Sequence, residues 1–376
     1  MEEEQKIAIV YDWIDSWGGI ERVLLVLKEL FPGADWYSSY VDINKAKWAK
    51  DLSVHTSFMQ HLPSWIKNNR ALSVPFFPYA FESFCFNRYD TVISVSSAFA
   101  KSIITKPSTR HIAYLLTPPR FLYGKTGDYL SSPMDSLFSS YVDRLRQWDK
   151  VASARPDSLL SISQTVKDRC FRYYDRDSTV VYPPFDKEYW AKVSKEKSPL
   201  ADNVLRAGAK KYYLVVSRLA RYKKIEITID AINNRLSDTL VIVGEGPMKN
   251  SLQREAKSNV IFLGHVSDHE LAFLYSRADA LIMPQEEDFG LVSLEGQFFD
   301  CPVIAFKKGG ATETVEDGTT GLFFQKQTAE SLAETLERYA AISYNLKIGL
   351  KKEKMKVFDK FAKEKFKNFF KHAVLK

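Results

Sequence analysis

Two doubly wound α/β domains in tandem are what this sequence predicts, and three observations carry that expectation. The chain has 376 residues, more than one ordinary core needs and a fit for two domains. Short β-rich runs alternate with helical patterns, as in parallel sheets covered by helices. The alternation breaks at Pro183-Pro184 and then starts again. The expected architecture is therefore two Rossmann-like domains whose parallel sheets face each other across a cleft, where such folds hold their ligands.

In the first half, residues 7–10 read as the opening strand. Ile20, Val23, Leu24, Leu27 and Phe31 follow at helical spacing and mark one face of a helix. Residues 91–95, 111–115 and 158–162 read as later strands, and the run 179–182 leads into the proline pair. Strand candidates in the second half are 212–216, 240–243, 260–263, 280–283 and 303–306, with a helical pattern over 267–277. Domains are expected at 1–184 and 185–355. A basic helix over 356–376 is expected to pack back on the first domain.

Composition narrows the class. Hydrophobic residues are 45% and charged residues 26%, as in a folded globular protein. No apolar run approaches the roughly 18 residues of a membrane-spanning helix. The acidic start Met1-Glu2-Glu3-Glu4 lacks the basic and apolar regions of a secretory signal, so a cytoplasmic location is expected. Cys85, Cys170 and Cys301 are widely spaced, which suits reduced thiols and not a metal cluster.

The net charge of +7 is concentrated at one end: from Asn345 onward eleven lysines stand against three acidic residues. Such a tail is either a solvated helix face or a surface for anionic partners, such as nucleic acid or a membrane. The stretch 58–86 is rich in aromatics (Phe58, Trp65, Phe76, Phe77, Phe81, Phe84 and Phe86), with Lys67 and Arg70 beside them. Core packing is one reading; a surface that dips into a membrane interface is the other.

Several motifs can be set aside. Gly124-Lys125-Thr126 has Pro119 where a phosphate-binding loop needs its first glycine. Gly244-Glu245-Gly246 lacks the third glycine of a dinucleotide fingerprint. His269-Glu270 has no second histidine at metalloprotease spacing. Asp175-Arg176-Asp177 sits between a helical pattern and a strand, where a turn is expected.

Three motifs carry chemistry. In Glu287-Asp288-Phe289-Gly290-Leu291-Val292-Ser293-Leu294-Glu295, two glutamates stand eight positions apart. The first falls in a strand-to-helix loop and the second about a turn inside the helix. The amides of Gly290, Leu291 and Val292 lie at the helix start and suit a phosphate. Glu295 can accept hydrogen bonds from ribose hydroxyls. The competing reading makes Glu287 a helix cap and Glu295 a solvated side chain. Arg218 and Lys223, on the loop after the strand at 212–216, can stabilise a departing diphosphate. Gly18 and Gly19, directly after the first strand, permit close backbone approach to a ligand.

With these motifs in this order, the chain resembles the family 4 glycosyltransferases of the two-domain GT-B fold over nearly its whole length. The likeness includes Thr117-Pro118-Pro119-Arg120, Val181-Tyr182-Pro183-Pro184, Val243-Gly244-Glu245-Gly246-Pro247 and Gly309-Gly310-Ala311-Thr312-Glu313-Thr314. It extends in particular to the branch with bacterial mannosyltransferases of surface-polysaccharide assembly. The resemblance implies a retaining hexosyl transfer from a nucleotide-sugar donor to a saccharide or lipid-linked acceptor, without a bound metal or other cofactor. GDP-mannose is compatible with it as donor. It implies that Arg218, Lys223 and Glu287 are the catalytic residues, with Glu287 beside the donor sugar. Glu295 then holds the ribose, Gly18 and Gly19 face the diphosphate, the first domain binds acceptor and the second binds donor. No nucleic-acid partner is expected; the basic tail and the aromatic stretch leave an anionic membrane surface open as a partner.

The chain departs from the pattern twice. Leu116 stands where many relatives carry a histidine, and Lys224 replaces a common glycine. A nucleotide-sugar epimerase of the same fold and a non-catalytic nucleotide-sugar binder therefore stay open as alternatives, although Leu116 removes an acid/base group that an epimerase needs.

Overall fold

The computed structural model describes residues 5–124, 135–195 and 211–375. Residues 1–4 and Lys125-Thr126 of the Gly124-Lys125-Thr126 stretch lie outside the described residues. The chain divides into two compact units, Met1–Pro184 with Lys363–Lys376, and Phe185–Ala362.

The first unit holds β1 (Ile7–Tyr11), β2 (Asp35–Ser38), β3 (Val54–Thr56), β4 (Thr91–Ser96), β5 (Arg110–Leu115), β6 (Ser158–Ser161) and β7 (Thr179–Val180). They form one sheet in the order β3-β2-β1-β4-β5-β6-β7, with every pair parallel. Strand β1 pairs with β2 on one side and β4 on the other, so the winding reverses between β1 and β4. The helix Gly19–Leu30 follows β1 and buries Val23, Leu24 and Leu27, three of the residues its spacing singled out. A core of Ala8, Val10, Val92, Phe77, Phe81 and Phe99 fills one layer.

The second unit holds β8 (Tyr213–Val216), β9 (Leu240–Val243), β10 (Val260–Gly264), β11 (Ala280–Met283), β12 (Val303–Phe306) and β13 (Gly321–Phe324). Their order is β10-β9-β8-β11-β12-β13, again parallel throughout. Here the winding reverses between β8 and β11. Ile242, Ile282, Ile304 and Phe324 pack with Leu332 and Leu336 of the long helix Ala329–Lys360. The fold class is thus two Rossmann-like α/β units with parallel sheets.

Three sequence expectations change. Strands β2, β3 and β13 are additions to the expected set. The helix expected over 356–376 is two pieces. The helix Ala329–Lys360 runs through its start, and a separate helix, Lys363–Leu375, follows and belongs to the first unit. The aromatic stretch 58–86 divides between both readings: Phe77, Phe81 and Phe86 are buried, whereas Phe58 and Trp65 are exposed.

The turn expected at Asp175 is present. Asp175 ends the helix Gln164–Tyr174 in the left-handed conformation, φ 56°, which Asp tolerates better than most residues.

Candidate active site

In doubly wound sheets, ligands bind outside the carboxyl ends of the strands where the winding reverses. In the second unit those strands are β8 and β11, and the loops that leave them carry the basic and acidic motifs.

The loop after β8 contains Arg218 and Lys223. Its backbone is held from behind by the loop after β9. Ser217 donates its amide to the Val243 carbonyl at 3.0 Å, and Leu219 donates to the Glu245 carbonyl at 2.9 Å. A Cβ at Gly244 would overlap the Ser217 carbonyl, and one at Gly246 would overlap that of Leu219. These glycines let two loops touch, which explains the Gly244-Glu245-Gly246 motif without a dinucleotide. Arg218 is exposed. Lys223 ends a short 3-10 turn, Arg221–Lys223, and Lys224 follows in the left-handed region at φ 53°.

The loop after β11 carries Glu287. Lys223 Nζ lies 2.6 Å from Glu287 Oε1, with the two side chains 14% and 16% exposed. The Gln285 side-chain amide donates to the same oxygen at 2.7 Å. Two of the three residues expected to be catalytic thus form one ion pair, while Arg218 stands on the same loop in solvent.

Glycines again set the backbone. Gly310 donates its amide to the Glu287 carbonyl at 2.8 Å. A Cβ at Gly309 would overlap that carbonyl oxygen, and one at Gly310 would overlap Phe289. Gly290 adopts φ 88° and begins the helix Leu291–Phe298 without any side-chain cap; a residue with a Cβ rarely takes that conformation. Glu287 is therefore not the cap of this helix. The first amides of Leu291 and Val292 sit in the opening turn, where the helix itself offers them no carbonyl.

Glu295 lies one turn into that helix and is 4% exposed, so the solvated reading of it does not hold. The Tyr275 hydroxyl donates to Glu295 Oε2 at 2.9 Å. Tyr275 is fully buried, stacks on Phe299 with ring centroids 6.1 Å apart, and meets Trp190 edge-on. Sequence reasoning missed this partner; its position on the helix Asp268–Arg277 gives no local signal.

Gly18 and Gly19 lie in the first unit, at the start of the helix Gly19–Leu30. Gly18 is fully extended, and a Cβ there would stand 3.2 Å from Glu21 Oε2. Glu21 is buried and accepts from the Tyr11 and Ser16 hydroxyls, each at 3.3 Å. Burial raises its pKa.

The reversal between β1 and β4 is built on a residue the sequence did not single out. The Asp12 carboxylate, fully buried, accepts the amides of Ser97, Ala98, Phe99 and Ala100 at 2.6–3.0 Å. It ties the loop after β1 to the loop after β4. Leu116, 4% exposed, directly follows β5 and donates its amide to the Ser96 carbonyl at 2.8 Å.

Comparison with known proteins supports the same fold. The Anabaena protein HepE in complex with UDP-glucose superposes with a TM-score of 0.72 at 18% identity, over 98% of this chain and 99% of that one. A sucrose-phosphate synthase from Thermosynechococcus elongatus gives a TM-score of 0.72 at 18% identity, over 98% of each chain. By sequence, the chain is 26% identical over 207 residues to an uncharacterized glycosyltransferase of Methanocaldococcus jannaschii, covering 54% of this chain and 55% of the relative. It is 29% identical over 220 residues to the O-antigen chain mannosyltransferase C of Escherichia coli, covering 55% and 53%. The chain spans about half the length of these curated relatives. Residues 198–363, which include both loops and both glutamates described above, match the family model of glycosyl transferases group 1.

Proposed function

We propose that the chain is a retaining glycosyltransferase that moves a hexosyl group from a nucleotide-diphosphate sugar to a saccharide or lipid-linked acceptor. The observation that carries this reading is the meeting of the two switch-point loops of the second unit, where Lys223 Nζ and Glu287 Oε1 are 2.6 Å apart. A diphosphate leaving group needs cationic stabilisation and a sugar needs a hydroxyl acceptor, and this pair offers both beside Arg218. Likeness to an O-antigen mannosyltransferase favours mannose as the sugar and cell-surface polysaccharide as the setting. Donor binding belongs to the second unit and acceptor binding to the first.

In the proposed reaction, an acceptor hydroxyl attacks the anomeric carbon from the face the diphosphate leaves. The bond from that carbon to the diphosphate oxygen breaks, and a diphosphate oxygen takes the acceptor's proton. The products are a glycoside with retained configuration and a nucleoside diphosphate. Arg218 and Lys223 hold the charge that grows on the leaving group, so no resident metal or cofactor is required. Glu295, held by Tyr275, accepts from the ribose hydroxyls.

The test is a purified-protein screen of UDP-glucose, GDP-mannose and related donors by thermal shift, followed by transfer assays. A donor at 100 times its Kd adds about 2.7 kcal/mol of stability. Binding without hydrolysis or transfer would favour the non-catalytic reading; interconversion of sugar epimers would favour the epimerase.

Membrane contact forms a second part of the proposal. Phe58, Trp65, Leu72 and Tyr79 are exposed large apolar side chains within one stretch of the first unit. No helix among the described residues is long and apolar enough to cross a membrane, so contact would be peripheral. Binding to anionic vesicles that fades with salt is the expected result of sedimentation; equal recovery with and without vesicles at low salt removes this part.

A further inference from the structure

We propose that Gln285 is a specificity-determining residue, whose side-chain carbonyl accepts a hydrogen bond from a hydroxyl of the donor's sugar. The inference rests on the donor-site reading above. Gln285 is the second residue after β11 and is only 3% exposed. Its Nε2 donates to Glu287 Oε1 at 2.7 Å, the oxygen that also meets Lys223 Nζ at 2.6 Å.

That contact fixes the amide's orientation by chemistry. Turned over, Gln285 would set its carbonyl oxygen against a carboxylate, two acceptors face to face. With Nε2 committed to Glu287, Oε1 is left buried and without a hydrogen-bond partner among the described residues. Buried polar atoms are nearly always satisfied, and an orphan beside a reactive site points to a group that arrives with the ligand. The Oε1 atoms of Gln5 and Gln297 and Oδ1 of Asn259 are also unpartnered, but their amide nitrogens are not bonded to Glu287 or any other residue of the candidate site.

What arrives must carry an O–H or N–H. The diphosphate cannot serve, since its oxygens only accept and would be repelled by a carbonyl. The sugar can, because every free hydroxyl on it is a donor. Glu287 is the carboxylate assigned to the sugar, and Gln285 is bonded to it. Gln285 thus reads one sugar hydroxyl, while Lys223, bonded to the same Glu287 oxygen, meets the charge.

The experiment measures dissociation constants for wild type and Gln285→Met, a variant of similar length without the acceptor. The probes are UDP, GDP, UDP-glucose, GDP-mannose, and the deoxy-sugar analogues of whichever donor binds. Wild type should discriminate against one deoxy analogue by about tenfold or more. In Gln285→Met that discrimination should vanish, with the affinity for the nucleoside diphosphate and the discrimination at other hydroxyls unchanged. Gln285→Leu should behave alike. Unchanged discrimination at every hydroxyl would overturn the proposal. So would a parallel loss of nucleoside diphosphate and donor binding, because Gln285 would then act only by supporting Glu287. If wild type binds none of the four parent probes, the donor-site reading itself falls and the role of Gln285 falls with it.

Discussion

Arg218 and Lys223 stand on one loop in different surroundings, and their alanine variants should separate accordingly. In the proposed reaction each supplies charge to a leaving diphosphate, so each replacement should lower turnover by on the order of 100-fold. Arg218 is exposed, so Arg218→Ala should leave thermal stability unchanged. Lys223 is tied to a largely buried Glu287, and Lys223→Ala should also cost about 2 kcal/mol because it strands that carboxylate. Wild-type turnover in both variants would end the assignment. Lys224 gives a second prediction. It holds φ 53°, a conformation that costs a side-chain-bearing residue about 1–2 kcal/mol. Glycine there loses more entropy on folding, so Lys224→Gly should gain up to about 1 kcal/mol. The expected rise in Tm is roughly 2–4 °C, and a fall would show that the Lys224 side chain matters more than its backbone. Residues of this loop were legible because charge, spacing and a preceding strand coincide. Tyr275 and Gln285 were not, because their roles depend on partners brought together only by the fold.

At the scale of elements, strands with aliphatic residues on both faces announced themselves, whereas β2 and β3 did not. The runs at 91–95 and 240–243 have aliphatic residues on both faces. Strand β2, Asp35–Ser38, is short and aromatic, and its place beside β1 is set by pairing with a neighbour. The Asp12 clamp has the same character: an aspartate after a strand is common, and only the returning loop at 97–100 brings it four backbone amides to accept. Strand β5 contains a group with a measurable consequence. His111 is fully buried, with Nε2 2.8 Å from Ser94 Oγ. Burial, and then the positive charges of Arg155 and Arg176, push its pKa down to about 3. The unfolded chain therefore binds a proton near pH 6.5 that the folded chain refuses. Stability from this group is complete above pH 6.5 and is lost as pH falls toward 3, by on the order of 4 kcal/mol. Denaturant titrations from pH 7 to pH 4 should show the slope, and His111→Gln should flatten it by one proton. An identical slope in the variant would place the acid sensitivity elsewhere.

At the scale of the whole molecule, the path of the chain matters as much as its two sheets. It leaves the first unit at Pro184 and returns to it at Lys363. The terminal segment looks in sequence like a surplus of lysine, yet much of that charge is engaged. Lys347 pairs with Asp279 and Lys354 with Asp300, both in the second unit. Lys363 and Lys367 each stand 2.7 Å from Glu29 in the first, and hydrogen bonds from these two lysines hold the Glu29 carboxyl below its ordinary pKa. The apolar side of the helix Lys363–Leu375 is buried: Phe366, Phe370 and Val374 are at most 2% exposed, and the two phenylalanines meet the Tyr114 ring at 5.8 and 5.3 Å. Fully burying three such side chains is worth roughly 5–8 kcal/mol as an upper estimate, comparable to the whole stability of a domain. A chain ending at Ala362 should therefore keep a folded second unit, whose core lies within Phe185–Ala362, while its first unit opens. Limited proteolysis should cut the truncated chain within residues 5–184 and spare the remainder, and a synthetic peptide of residues 363–376 added in trans should restore protection. Equal resistance of both units in the truncated chain would show that the terminal helix rests on the first unit without holding it together.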